Sequence, residues 1–149
     1  MKTEKALRKI GEELGKNGFE WVIEENKYGE EVLKSIIGDY EVVISEVTNS
    51  KGKRFYIRVI YEEINVRDNL DKAFRLNNFY NEVSDVKVFV REFIENDLVP
   101  VMEIVKSLKK MLNNKKFFKV LEKRIIGYEN VLKGALDNKE IIELFEEYM

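Results

Sequence analysis

The stretch AFRLNNFYNEVSDVKVFVRE, Ala73 to Glu92, decides the fold class because two periodicities meet within it. Its first half continues a helical stripe of apolar residues, and its second half alternates valines with polar residues, as strands do. Asn77, Asn78 and Asn81 lie where the helical pattern stops. Asparagine tolerates the left-handed conformation that often ends a helix, so we predict that these three residues are structural caps rather than a ligand site.

The segments before this stretch also alternate between helix and strand patterns. Helices are predicted to begin at Thr3 and at Asp68 or Asn69, where side chains of the N-cap type precede apolar stripes. Strands are predicted over residues 19–25, 40–47, 53–63 and 85–94, and turn-forming residues 48–52 join the central hairpin. Residues 30–37 fit either two helical turns or a strand, and both alternatives stay open. Trp21 is predicted to be a core residue of its strand.

The pattern after the last predicted strand is interpreted as helical. Asp97 is predicted to cap a third helix that carries Pro100 in its first turn. A 3-4 spacing of apolar residues follows from Phe118 to Ala135, and Asp137 with Glu140 is predicted to open a last helix. We therefore predict an α+β domain over residues 1–112, with an antiparallel sheet and flanking helices. Residues 113–149 are predicted to form a helical extension, packed on this domain or on a partner subunit.

The composition limits the possible chemistry. The 149 residues include no histidine and no cysteine, and the net charge is −2. Catalytic triads with a histidine base, thiolate nucleophiles and zinc sites built on Cys or His are thereby excluded. An enzyme that uses only carboxylates and lysine is the remaining catalytic alternative, and we favour a non-enzymatic protein without a metal or another cofactor. No long apolar run or signal-peptide pattern occurs, which predicts a cytoplasmic protein without a membrane partner.

A basic segment between Lys106 and Arg124 is the strongest candidate for a binding surface. It contains eight basic residues and one acidic residue, Glu122. The candidate binding residues are Lys109, Lys110, Lys116, Lys119, Lys123 and Arg124. Such a surface could neutralise nucleic-acid phosphates. The favoured alternative is pairing with the ten acidic residues between Glu12 and Glu46, in the same chain or in a second subunit.

The sequence AFRLNNFYNE, together with YIRVIYEEI before it and VKVFVREF after it, resembles YbjN-like proteins. This family is assigned to bacterial sensory transduction regulation, and the resemblance runs from about Lys5 to Leu112. It implies a fold like that of type III secretion chaperones, in which a helix precedes a three-stranded meander and a second helix follows. It also implies a protein or peptide partner and a homodimer. The expected function is therefore protein binding of a chaperone-like or regulatory kind, and nucleic-acid binding through the basic segment is the alternative.

Overall fold

The computed structural model describes residues 2–48 and 53–148 of the chain, and these residues form an α+β structure. The helices are α1 (Thr3–Lys16), α2 (Leu70–Val83), α3 (Leu108–Asn113), α4 (Phe117–Leu136) and α5 (Ile141–Tyr148). The strands are β1 (Trp21–Glu25), β2 (Glu31–Ile37), β3 (Tyr40–Glu46), β4 (Arg54–Ile60), β5 (Lys87–Glu92) and β6 (Leu98–Ser107). One turn of 3-10 helix, Arg67–Asn69, precedes α2.

The six strands form one antiparallel sheet in the order β1-β2-β3-β4-β6-β5. Two hydrogen bonds define the direction in which β6 runs beside β4. The Tyr61 N–H donates to the Pro100 carbonyl at 3.0 Å, and the Leu108 N–H donates to the Lys53 carbonyl at 2.8 Å. The residue number rises on one strand as it falls on the other, so the pair is antiparallel. The predicted fold class, an antiparallel sheet with flanking helices that include C-terminal ones, is confirmed.

The chain divides into two compact units by its internal contacts. The first unit comprises Met1–Val59 with Ile104–Glu122, and the second comprises Ile60–Glu103 with Lys123–Met149. Each unit combines segments that are distant in the sequence. The boundaries of these units differ from the predicted division into residues 1–112 and 113–149. That division stays a prediction about domain organisation.

In the first unit, the core lies between α1 and one face of the meander β1 to β4. The buried stripe of α1 consists of Ala6, Leu7, Ile10, Gly11 and Leu14, and it faces strand residues such as Leu33 and Ile44, which are fully buried. Gly11 is required here, because a Cβ atom at this position would lie 2.5 Å from the Trp21 ring. Trp21 is half-buried against α1, which places it at the margin of the core.

In the second unit, the core joins α2 to α5 and to the part of α4 after Glu122, whereas α3 and the first turns of α4 belong to the first unit. Ala73, Leu76 and Tyr80 of α2 are fully buried, whereas Phe74 of the same predicted stripe is 49% exposed. The predicted 3-4 seam is the buried face of α4, confirmed from Phe118 to Ala135. Tyr128 of α4 contacts Asn77 of α2 and Tyr61 of the same chain, and packing of residues 113–149 on a partner subunit stays a prediction.

The predicted third helix at Asp97 is wrong, because residues 98–107 form strand β6. The Asp97 carboxylate accepts a hydrogen bond from the Asn65 side chain at 3.1 Å and does not cap a helix. Strand β6 lies between β4 and β5, and four consecutive residues, Val99 to Met102, are buried on its two faces. A strand buried on both faces has a continuous apolar run, which periodicity does not distinguish from a helical stripe.

Two smaller predictions about element ends are wrong, and one alternative that the sequence left open is settled. Helix α1 has Lys2 at its N-cap, and the Thr3 hydroxyl donates a hydrogen bond to the Glu46 carboxylate instead. Residues 31–37 form strand β2, which settles the alternative that the sequence left open. Helix α5 begins at Ile141, since Asp137 still donates its N–H to the last turn of α4 and is not an N-cap. Residues 49–52 of the predicted hairpin turn lie outside the described residues.

Candidate functional site

Strand β1 ends the sheet on one side, and one row of its backbone groups faces outward. The Asn26 N–H donates to the Glu30 carbonyl at 2.8 Å, and the register continues through Glu25 with Glu31. Hydrogen-bonded and non-hydrogen-bonded pairs alternate along an antiparallel ladder. The N–H and C=O groups of Trp21, Ile23 and Glu25 therefore point away from β2. Within residues 2–48 and 53–148, none of these groups receives another hydrogen-bond partner.

Apolar side chains and carboxylates flank this open edge. Val22 and Ile36 are 49% and 55% exposed, and they border a shallow cavity of about 280 Å³. The cavity is also lined by Glu20, Trp21, Glu24, Lys34, Ser35 and Glu41. An apolar surface beside unpaired backbone donors and acceptors can accommodate another extended chain.

Among the described residues, Lys34 is the only cation that lines this cavity, and it is already paired. Its ammonium lies 3.1 Å from a Glu24 oxygen and 3.9 Å from a Glu41 oxygen. The hydrogen bond to Glu24, followed by the negative charges of Glu41 and Glu24, raises the pKa of Lys34. Glu20 and Glu25 form no ion pair with any residue that the structure describes. The surface beside β1 is therefore negatively charged.

Strand β5 ends the sheet on the other side, and a side chain occupies its edge. The Val88 N–H donates to Asn81 Oδ1 at 2.8 Å, and Asn81 Nδ2 donates to the Val88 carbonyl at 3.0 Å. The Asn81 amide thus makes the two hydrogen bonds that a neighbouring strand would make at this residue. At Val88 the edge of β5 is closed, in contrast to the edge of β1.

The predicted capping role of the three asparagines is corrected by these contacts. Helix α2 continues to Val83, and Ser84 is its C-cap residue with an extended backbone. Asn81 is helical and has no positive φ angle, so it does not provide a left-handed cap. Asn78 is exposed on the helix surface, and Asn77 is buried. Side-chain contacts across the fold, which the sequence pattern does not contain, determine the roles of Asn77 and Asn81.

Asn77 belongs to a polar network in the core of the second unit. The Tyr128 hydroxyl donates to Asn77 Oδ1 at 2.6 Å, and the Tyr61 hydroxyl donates to the Ile125 carbonyl at 2.9 Å. Burial raises the pKa of Tyr128 well above its usual range, with a smaller contribution from nearby Tyr80. Tyr128 is therefore held as a neutral hydrogen-bond donor to Asn77.

The basic candidates are spread along two helices and a turn. Lys109 and Lys110 lie on α3, Lys116 precedes α4, and Lys119, Lys123 and Arg124 lie on α4. Arg124 pairs with Asp85 at 2.6 Å, and the Lys119 ammonium lies 5.0 Å from the centre of the Phe19 ring.

The other four basic candidates are exposed lysines. Lys109, Lys110, Lys116 and Lys123 make no ion pair with a described residue. Among the described residues, these six make none of the ion pairs with acids between Glu12 and Glu46 that the sequence predicts for the whole segment of eight basic residues. Pairing across a subunit stays a prediction.

No protein-family model, curated protein or solved structure matches this chain. Among the described residues there is no group of three or more metal-ligating side chains of the His, Cys, Asp and Glu types. No helix in the same ranges is both long and apolar enough to cross a membrane. The open edge of β1 is the main candidate for a binding site.

Proposed function

We propose that this chain is a non-enzymatic, cytoplasmic, chaperone-like or regulatory protein that binds an extended segment of a partner protein as an additional strand. The observation that carries the proposal is the open edge of β1. The backbone groups of Trp21, Ile23 and Glu25 face outward there and have no partner in the described part of the chain. In strand addition, such groups supply affinity through main-chain hydrogen bonds, and neighbouring side chains supply specificity.

The surroundings of β1 support a bound strand rather than a protected edge. Val22 and Ile36 offer exposed apolar surface beside the edge. Their cavity gives side chains of the incoming segment a place to pack. At the β5 edge, by contrast, Asn81 occupies the position of a further strand at Val88. One sheet edge is thus free for a partner, and the other is occupied by the chain itself.

The resemblance to YbjN-like proteins supports the same proposal. Between helices α1 and α2 the chain has four antiparallel strands, so it contains the three-stranded meander that the resemblance implies and one further strand, β1. The hairpin of β5 and β6 comes directly after α2. On this basis we also propose a homodimer, which light scattering would detect as twice the mass of the chain. A strictly monomeric mass would remove the dimer from the proposal.

An edge-blocking variant tests strand addition. The Ile23 N–H points outward, so Ile23→Pro removes an outward donor while it leaves the hydrogen bonds to β2 in place. Ile23→Val is the matched control, because it keeps the N–H and a β-branched side chain. The probes are short peptides with three central valines and either lysines or glutamates on both sides. Trp21, the single tryptophan of the chain, adjoins the edge, and its fluorescence reports binding.

We expect at least one probe peptide to change the Trp21 fluorescence of the wild type and of Ile23→Val. We expect the proline variant to lose roughly tenfold in affinity, on the order of one lost hydrogen bond. Circular dichroism and thermal unfolding check that the proline variant is folded. Equal binding by the two variants, or no binding of any probe to the wild type, would overturn the proposal.

Nucleic-acid binding is the second candidate, and the exposed lysines favour it. Lys109, Lys110 and Lys116 are exposed and have no ion pair among the described residues, so they are available to phosphates. Such binding would weaken steeply with salt. Titration of labelled single-stranded and double-stranded DNA or RNA at low and moderate salt tests it. No binding at low salt, or binding that Lys109→Ala/Lys110→Ala/Lys116→Ala leaves unchanged, would remove this candidate.

A further inference from the structure

We propose that the segment added to β1 is cationic and apolar in a fixed order, with three apolar residues flanked by basic ones. This inference rests on the proposed strand addition and specifies the partner. The backbone of β1 provides the site, and the side chains of residues 20–25 decide which partner fits it. Their positions follow from the register of β1 with β2.

The two faces of β1 set two different requirements. Glu20, Val22 and Glu24 lie on the face that Lys34 and Ile36 share, since Val22 is opposite Lys34. Trp21, Ile23 and Glu25 lie on the other face, which packs toward α1. Successive residues of an incoming strand also alternate between these faces, and each meets the β1 residue opposite it.

The pattern of the partner can then be read residue by residue. The three central residues of β1, from Trp21 to Ile23, are apolar and favour apolar residues opposite them. Glu20 precedes them, and Glu24 and Glu25 follow. Each carboxylate favours a lysine or arginine on the neighbouring strand. The complementary segment therefore has one basic residue, three apolar residues and two basic residues, aligned with residues 20–25 in either chain direction.

The carboxylates at this edge are only partly neutralised by the chain itself. Lys34 is shared between Glu24 and Glu41, whereas Glu20 and Glu25 have no ion pair in the described ranges. A second copy of β1 is a poor occupant in a parallel, in-register arrangement, because that arrangement would place the carboxylates of residues 20, 24 and 25 beside their equivalents. Like charges on neighbouring strands are destabilising, which favours a basic partner over self-pairing.

A charge-reversal experiment tests the partner's charge separately from strand addition. Glu20→Lys/Glu25→Lys reverses two exposed carboxylates that have no ion pair in the described chain. Glu143→Lys/Glu146→Lys is the matched control, since it makes the same charge change at two exposed positions of α5. Two probe peptides are used. The first has one lysine before three valines and two lysines after them, and the second has glutamates in place of the lysines. Binding is followed by Trp21 fluorescence at low and high salt.

We expect the wild type to bind the lysine peptide roughly tenfold more tightly than the glutamate peptide, from two or three cross-strand pairs. The Glu20→Lys/Glu25→Lys variant should reverse this order, and the α5 control should keep it. High salt should reduce the preference because the charges are exposed. Equal affinities in the wild type, or an unchanged preference in the reversed variant, would overturn the cationic partner and leave strand addition intact. No binding of either peptide would overturn both proposals.

Discussion

Asn81→Ala is the substitution that most directly tests how the β5 edge is closed. Asn81 makes two hydrogen bonds to the backbone of Val88, at 2.8 Å and 3.0 Å. An intramolecular hydrogen bond contributes about 0.5–1.5 kcal/mol to stability, so the two together contribute about 1–3 kcal/mol. Alanine is the better helix former by roughly 0.5 kcal/mol, which offsets part of the loss.

Asn78→Ala provides the matched control for this substitution. Asn78 lies in the same helix, is exposed, and makes no side-chain hydrogen bond with a residue that the structure describes. Both variants replace asparagine by alanine within α2, so the difference between them isolates the Asn81 contacts. We expect Asn81→Ala to be less stable than Asn78→Ala by about 1–3 kcal/mol. For a chain of this length that corresponds to roughly 2–10 °C in Tm.

Urea unfolding and thermal unfolding measure the stability difference, and two further measurements locate its cause. The Val88 amide should exchange with solvent faster in Asn81→Ala than in Asn78→Ala, because its acceptor is gone. The opened edge should also promote self-association, which sedimentation at increasing concentration detects. Equal stability of the two variants, within about 0.5 kcal/mol, together with unchanged Val88 exchange would refute this account of the β5 edge.

Two further predictions concern contacts away from the sheet edges. Tyr128→Phe should lower the free energy of unfolding by about 1–2 kcal/mol, because it leaves the buried Asn77 oxygen without its donor. The double variant Tyr128→Phe/Asn77→Ala should lose less stability than the sum of the losses in the two single variants. A double-mutant cycle by urea unfolding measures this coupling, and additive losses would contradict it. Hydrogen bonds from Lys53, and to a smaller extent from Thr3, lower the pKa of Glu46 below its usual value of 4.5. The ionised carboxylate therefore stabilises the fold above pH 4.5, and this contribution is lost as the pH falls through the lowered pKa of the folded state. Glu46→Gln should therefore be less stable than the wild type near pH 7 and approach it under acid, whereas a gap that persists below both pKa values would count against the Glu46 contacts.

The sequence predicted the elements whose evidence is local. The stripe of α1, the alternation of β4 and the seam of α4 each repeat over several turns or residue pairs, and all three are found in the structure. Periodicity failed at β6, because burial on both faces removes the alternation that marks a strand. It also failed at Asn81, whose hydrogen-bond partner lies on the following strand.

The sequence predicts less of the candidate site than of the fold. The sequence pointed to the basic segment because charge runs are visible in a single chain, and it expected Trp21 to be a core residue. Which strand ends the sheet follows only from the pairing order, and which of its backbone groups face outward follows only from the register. Neither quantity can be read from the residues of β1 alone.

The amino-acid sequence by itself determined that this chain is α+β, that it lacks the residues for histidine or cysteine chemistry, and that α1, α2 and α4 each bury one face. These properties depend on residue type and spacing within one element, which the sequence contains in full. Tertiary structure alone decided that β1 is open while Asn81 closes β5, and that Asn77 accepts a hydrogen bond from Tyr128. The first depends on the parity of a hydrogen-bond ladder, the second on a contact between a helix and the strand that follows it, and the third on a partner distant in the sequence. A shift of one residue in the ladder of β1 would point the other row of backbone groups outward.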